Sequence, residues 1–195
     1  VLSKGLIILV LIVLFLASSG KVNTWSQRMI FIGLFFSWIG DIVLEIEKNG
    51  EMMFMIGLTF FLLAQVSYFI AFIMTPGNGW PVKKLIMMIL PVVIYGIFLL
   101  AFIFRDLGEM RLPVVIYALV ILAMLATAIT RGGKTGIASF WLVLAGATLF
   151  VLSDSLLAVN KFSYAIPAAP VLIMSTYVLG QFLIVIGFLR QTGNR

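Results

Sequence analysis

Two aspartates, Asp41 and Asp154, are the residues of this chain best suited to chemistry. Each follows a small residue, Gly40 or Ser153, in the stretches Phe36–Leu44 and Phe150–Leu157, inside a run of apolar residues long enough to cross a bilayer. A carboxylate in such a run costs roughly 2.5–3.5 kcal/mol to insert into a bilayer, which makes it a functional residue by default. Two carboxyls brought together in a low dielectric cannot both ionise cheaply, so the pair shares one proton and offers an acid beside a base. The sequence contains no Cys and no His. It therefore has no thiolate chemistry and no imidazole base, and the seven acids, most of them near loops, argue against a catalytic zinc. No G-x-S-x-G nucleophile motif is present either. The chemistry left is acid–base hydrolysis of a bond that needs protonation, with water as nucleophile and neither metal nor cofactor. The structural alternative is that each aspartate pairs with a buried lysine or caps a broken helix.

Other polar side chains fall at helical spacing around these two. Ser37 and Glu45 lie one turn either side of Asp41, and Ser153 and Ser155 flank Asp154. Asn160 and Lys161 follow at the end of the same run. Gln65 and Tyr68 share one helix face, Tyr177 and Gln181 share another, and Tyr117 projects from a third apolar segment. Taken singly, each reads as an interhelical hydrogen bond. As a set they are candidates to line a polar pocket around the aspartates. Gly33 and Gly40, like Gly180 and Gly187, recur at heptad spacing and read as sites of close helix packing.

The elements that position these residues are transmembrane helices. Of the 195 residues 63% are hydrophobic and 10% charged, with mean hydropathy +1.23. Repeated apolar runs of about 20 residues identify a polytopic helical membrane protein, and the lack of strict alternation excludes a β-barrel. The chain reads as one all-α integral-membrane domain, residues 1–195, with seven helices. These are expected over 1–19, Arg28–Ile46, Met52–Met74, Val82–Phe104 with a kink at Pro91, Leu112–Thr130, Gly136–Val159, and a last one ending near Leu189. The first run, with its Lys4 and its Ala17-Ser18-Ser19, also has the outline of a signal peptide.

The net charge of +6 sits in loops. Seven crossings put Lys21, Arg28, Lys83, Lys84, Arg131, Lys134, Arg190 and Arg195 on one face. Lys4, Lys48, Arg105, Arg111 and Lys161 fall on the other, among Glu47, Glu51, Asp106 and Glu109. The positive-inside rule makes the first face, and the C-terminus, cytoplasmic. Trp25, Trp80 and Trp141 fall near it as an aromatic belt. No basic patch is interleaved with exposed aromatics, which argues against nucleic acid. Asp41 and Asp154 both lie roughly 9 Å below the outer interface, at equal depth. Each is followed one helix later by a glutamine, Gln65 or Gln181. With one more helix before Lys4, the chain would be two halves of four helices.

Four blocks carry a family resemblance: Ser37-Trp38-Ile39-Gly40-Asp41, Gln65-Val66-Ser67-Tyr68-Phe69-Ile70-Ala71-Phe72, the run from Gly146 through Ser153-Asp154-Ser155 to Asn160-Lys161-Phe162, and Tyr177-Val178-Leu179-Gly180-Gln181. On these the chain resembles the YhhN family of membrane proteins, which includes the lysoplasmalogenases. It departs at Gln65, where members often carry His, and at Lys4-Gly5-Leu6, where they often read Lys-Pro-Leu. The resemblance implies about eight helices, one of them before Lys4. It also implies hydrolysis of the vinyl-ether bond of lysoplasmalogens to a fatty aldehyde and a glycerophospho-ethanolamine or -choline. The substrate would then be a lysophospholipid held in membrane lipid, with Lys161, Arg111 or Lys4 on the phosphate. The expected location is a bacterial-type inner membrane. Two rivals remain at this stage: a transporter using the aspartates as a proton relay, and a lipid-binding protein that kept the fold without the activity.

Overall fold

The computed structural model describes residues 3–19, 24–46 and 50–192. Among them seven α-helices follow one another: α1 (Ser3–Ser19), α2 (Trp25–Ile46), α3 (Glu51–Ile73), α4 (Val82–Ile103), α5 (Arg111–Thr130), α6 (Ile137–Ala158) and α7 (Ala169–Thr192). Six of these, α2 to α7, are long and apolar enough to cross a membrane. The chain is thus an integral membrane protein. The seven expected crossings are six on this measure, because the apolar part of α1, Gly5–Ser18, is shorter. Lys21, Glu47, Lys48 and Arg195, expected in loops, lie outside the described residues, and so does the side chain of Lys4.

Helix packing follows a closed circuit. α1 packs on α2, α2 on α3, α3 on α5, α5 on α6, α6 on α7, and α7 back on α1. Six helices therefore form a ring, and α4 stands outside it against α5. The core runs down the inside, through Phe15, Leu34, Tyr68, Phe72, Phe150 and Phe188. α4 buries only Gly96 and Ile103, so nearly all of its surface faces outward, as suits a helix solvated by lipid. Pro91 sits inside α4 without ending it.

The two most extensive contacts are α2–α3 and α6–α7, and glycine permits both. A Cβ on Gly33 would meet the Tyr68 ring at 2.5 Å. On Gly146 it would meet the Gly180 carbonyl at 2.6 Å and the Ile184 amide at 2.8 Å. At the second position backbone meets backbone, so no rotamer change relieves the contact.

The ends of the bundle differ. At one end Ser163 donates to Asp106 Oδ2 (2.7 Å). The Asn160 side-chain oxygen accepts the Ile166 amide (2.9 Å) and closes the turn beyond the π-helical segment Val159–Ser163. At the other end the Trp80 amide donates to the Gly132 carbonyl (2.9 Å), and Lys84 lies 3.4 Å over the Trp80 ring. Here the structure corrects one expectation. Arg131 follows α5 at the start of a turn, where a charge on the surface was expected, yet its side chain is fully buried. Its Nη2 donates to Ser139 Oγ (3.1 Å) and to Gln191 Oε1 (2.7 Å), and its guanidinium lies 5.5 Å from the Phe72 ring and 5.4 Å from the Phe188 ring. Nε and Nη1 have no partner, and desolvation pushes the guanidinium down to about 10. A planar, weakly hydrated cation tolerates this setting where an ammonium would not.

Candidate active site

The ring directs the polar side chains of five helices to one place. Asp41, from the second half of α2, is buried, and its Oδ2 accepts a hydrogen bond from the Tyr177 hydroxyl of α7 (2.9 Å). Asp154, from the second half of α6, accepts a short hydrogen bond from the Tyr117 hydroxyl of α5. The two carboxyls are within electrostatic reach of each other. The aspartates of α2 and α6 thus face one interior, each held by a tyrosine from a different helix.

A second network orders the wall behind Asp41. The Tyr68 hydroxyl of α3 donates to Gln181 Oε1 of α7 (2.7 Å), and Gln181 Nε2 donates to Ser37 Oγ of α2 (2.9 Å). Tyr68, Gln181 and Ser37 are all fully buried. This chain fixes the Gln181 amide orientation and ties three helices together one turn before Asp41. Phe150 packs edge-on to both Tyr177 (5.3 Å between centroids) and Tyr68 (6.4 Å), so the tyrosine rings have little freedom to turn.

Gln65 differs from its neighbours. It is fully buried and in polar contact with the Tyr117 hydroxyl, yet neither its amide oxygen nor its amide nitrogen completes a hydrogen bond of good geometry. A buried amide left unsatisfied costs about 1–3 kcal/mol. Here the two orphaned atoms lie next to the Tyr117–Asp154 pair, where a water or a polar ligand group would satisfy them.

The two aspartates differ in access. Asp41 is buried, whereas Asp154 is half-buried and lines two apolar clefts. One opens between α5 and α6 towards α4, past Gly96 and Leu122. The other leads towards the near end of the bundle, past Phe54, Phe61 and Phe162, where Lys161 reaches 5.2 Å over the Phe54 ring.

Most of the residues expected at the site are therefore found together: Asp41, Asp154, Ser37, Gln65, Tyr68, Tyr117, Tyr177 and Gln181. Lys161 stands at the rim. Two expected residues are engaged elsewhere. Ser153 Oγ donates to the Ile173 carbonyl of α7 (2.9 Å), which directs it away from Asp154 and makes it a packing bond. Asn160 closes the turn described above. Glu45 is half-buried near the end of α2. One pair was not anticipated: the Tyr95 hydroxyl of α4 donates to Ser155 Oγ of α6 (2.7 Å). Tyr95 is the one polar side chain of α4 beyond the lysines of its first turn, and that was the signal available. Among the described residues no three His, Cys, Asp or Glu side chains gather as a metal site.

The chain is 35% identical over 163 residues to lysoplasmalogenase TMEM86A of Bos taurus, a match covering 82% of this chain and 64% of that protein. It is 32% identical over 166 residues to lysoplasmalogenase TMEM86A of Homo sapiens, with the same coverage of 82% and 64%. A shorter match, 34% over 104 residues, covers 53% of the chain and 33% of lysoplasmalogenase TMEM86B of Homo sapiens. The chain thus spans less than two-thirds of the length of these curated relatives. No solved structure matches it. The family match runs over residues 1–188, nearly the whole chain, and this protein belongs to the YhhN family.

Proposed function

We propose that this protein is a membrane hydrolase that cleaves the vinyl-ether bond of lysoplasmalogens by acid–base catalysis on Asp41 and Asp154. The observation that carries the reading is the convergence of these two carboxyls inside the helix ring, each held by a tyrosine. The relatives named lysoplasmalogenase supply the substrate class.

The chemistry of an enol ether suits such a pair. Protonation at the β-carbon converts the double bond to an oxocarbenium ion, R–O⁺=CH–CH₂R′. Water adds to the cationic carbon and gives up its proton to a carboxylate, leaving a hemiacetal. Collapse of the hemiacetal breaks the carbon–oxygen bond and releases the aldehyde R′CH₂CHO and the alcohol of the glycerophospho-headgroup. One proton is donated and one is recovered, so the pair returns to its starting state. Asp154, which lines the clefts, takes the role of proton donor. The buried Asp41 stabilises the cation and completes the proton balance. The orphaned Gln65 amide holds the attacking water beside them. Lys161, at the rim of the second cleft, takes the headgroup phosphate.

The test is aldehyde release from a lysoplasmalogen by purified protein in detergent. Asp41→Asn and Asp154→Asn are expected to abolish release while the protein elutes and melts as wild type. Full activity in both variants would overturn the assignment.

A further inference from the structure

α4 touches the ring along one seam only, and that seam is not filled. Between α4, α5 and α6 lies an apolar cavity of about 360 Å³ whose lining includes Met88, Val92, Leu144 and Thr148. It meets, at Val151, the smaller cleft that reaches Asp154 and Tyr117. Tyr95 and Ser155 stand at the join, their hydroxyls bonded to each other (2.7 Å), and Ser155 donates on to the Val151 carbonyl (2.7 Å). Thr148 likewise spends its hydroxyl on the Leu144 carbonyl (2.9 Å). The polar groups along the trough are therefore satisfied internally, and what it presents is hydrocarbon.

Its direction and length identify the occupant. Along α6 the trough runs from Asp154 back to Leu144, roughly 15 Å at about 1.5 Å per residue. With Asp154 roughly 9 Å below the outer interface, the trough reaches past the middle of a hydrocarbon core of about 30 Å, deep enough for a single chain held with its reacting end at the carboxylate. It starts at the carboxylate and runs towards the middle of the bundle, as the chain of a lysolipid runs from its headgroup towards the middle of the bilayer. The geometry points to this seam as the seat of the substrate's single alkenyl chain, entered sideways from the lipid between α4 and α6, with the Tyr95–Ser155 hydrogen bond as the latch at the neck. The inference rests on the hydrolase reading for the identity of that chain. An ordinary membrane acyl chain is the competing occupant.

Thr148 is exposed, with its side chain at the far part of the trough, so a large residue there blocks the trough without entering the core. Two measurements on the purified full chain test the inference. A lysophospholipid carrying a photoreactive diazirine at its chain end is expected to label Met88, Val92 or Leu144, and Thr148→Trp is expected to remove those adducts. In the same variant, aldehyde release from a long-chain lysoplasmalogen is expected to fall at least roughly ten-fold, while release from a short-chain one is retained. Label spread evenly over outward-facing residues such as Phe35 and Leu172, or adducts and chain-length profile unchanged by Thr148→Trp, would overturn the trough. Absence of aldehyde from wild type at every chain length, with the label still confined to the seam and lost in Thr148→Trp, would instead overturn the hydrolase reading and assign the seam to membrane lipid chains.

Discussion

At the scale of single residues the account turns on how each carboxyl is held. The Tyr117 hydroxyl donates to Asp154 and the Tyr177 hydroxyl to Asp41. A hydrogen bond to a charged group contributes about 1.5–3 kcal/mol, so Tyr117→Phe and Tyr177→Phe are each expected to lower kcat by roughly 10- to 100-fold. Steady-state kinetics in detergent measures this, and an unchanged kcat in both would remove the tyrosines from the site. Gln65 makes a sharper case because its amide is buried without a well-formed hydrogen bond. Gln65→Leu removes two unsatisfied atoms at similar volume. Its thermal midpoint is expected to equal or exceed that of wild type while activity falls. A lower midpoint with full activity would mean that the amide is structural. The aspartates were legible in the sequence, because a carboxylate in an apolar run has few bland explanations. Ser153 and Asn160 were not, because a small polar residue near a candidate carboxylate looks the same whether it faces the site or the next helix. Only the direction around the helix decides, and a local run does not record it.

At the scale of elements the site depends on the two tight pairs that carry its aspartates and glutamines, α2–α3 and α6–α7. The heptad glycines announced close packing, and the Gly146–Gly180 approach bears this out. Because backbone atoms meet there, Gly146→Ala is expected to destabilise by about 1–3 kcal/mol as α6 and α7 are pushed apart. Chemical unfolding in micelles checks this, and a variant as stable as wild type would contradict the seam. The place of Asp41 and Asp154 in the second halves of α2 and α6 could be counted from the expected helix ends. The partnering of α7 with α2, and of α5 with α6, could not be counted, because it depends on the order of helices around the ring. Arg131 shows the same limit. Its place after a long apolar run suggested a turn at the surface, but α3, α6 and α7 close over it. Its lowered folded value means that the unfolded chain holds that proton more tightly. The cost of its charge is therefore constant below about pH 10, and stability gains only as pH rises from there towards its ordinary value. Arg131→Met is accordingly expected to shift the unfolding midpoint equally at neutral and at moderately alkaline pH. A shift that grows between the two would reveal a titrating partner.

For the whole molecule, composition alone made the chain a helical membrane protein, and the alternating helices gather the described acids, Asp41, Glu45, Glu51, Asp106, Glu109 and Asp154, towards one end. What composition could not reveal is that six helices close into a ring and the seventh stays outside. α4 is the most apolar of the six membrane-length helices, but a helix apolar all round is either lipid-facing or fully buried, and hydropathy does not say which. On the proposed reading, the ring brings the two carboxyls together and the seam beside α4 leaves a path to one of them. The measurement that tests the central claim most directly is aldehyde release from a lysoplasmalogen by the purified protein, compared with Asp41→Asn and Asp154→Asn of equal thermal stability. Release by wild type and none by either variant is the predicted result. Release that survives loss of both carboxyls, or proton-coupled flux in liposomes without any aldehyde, would contradict it.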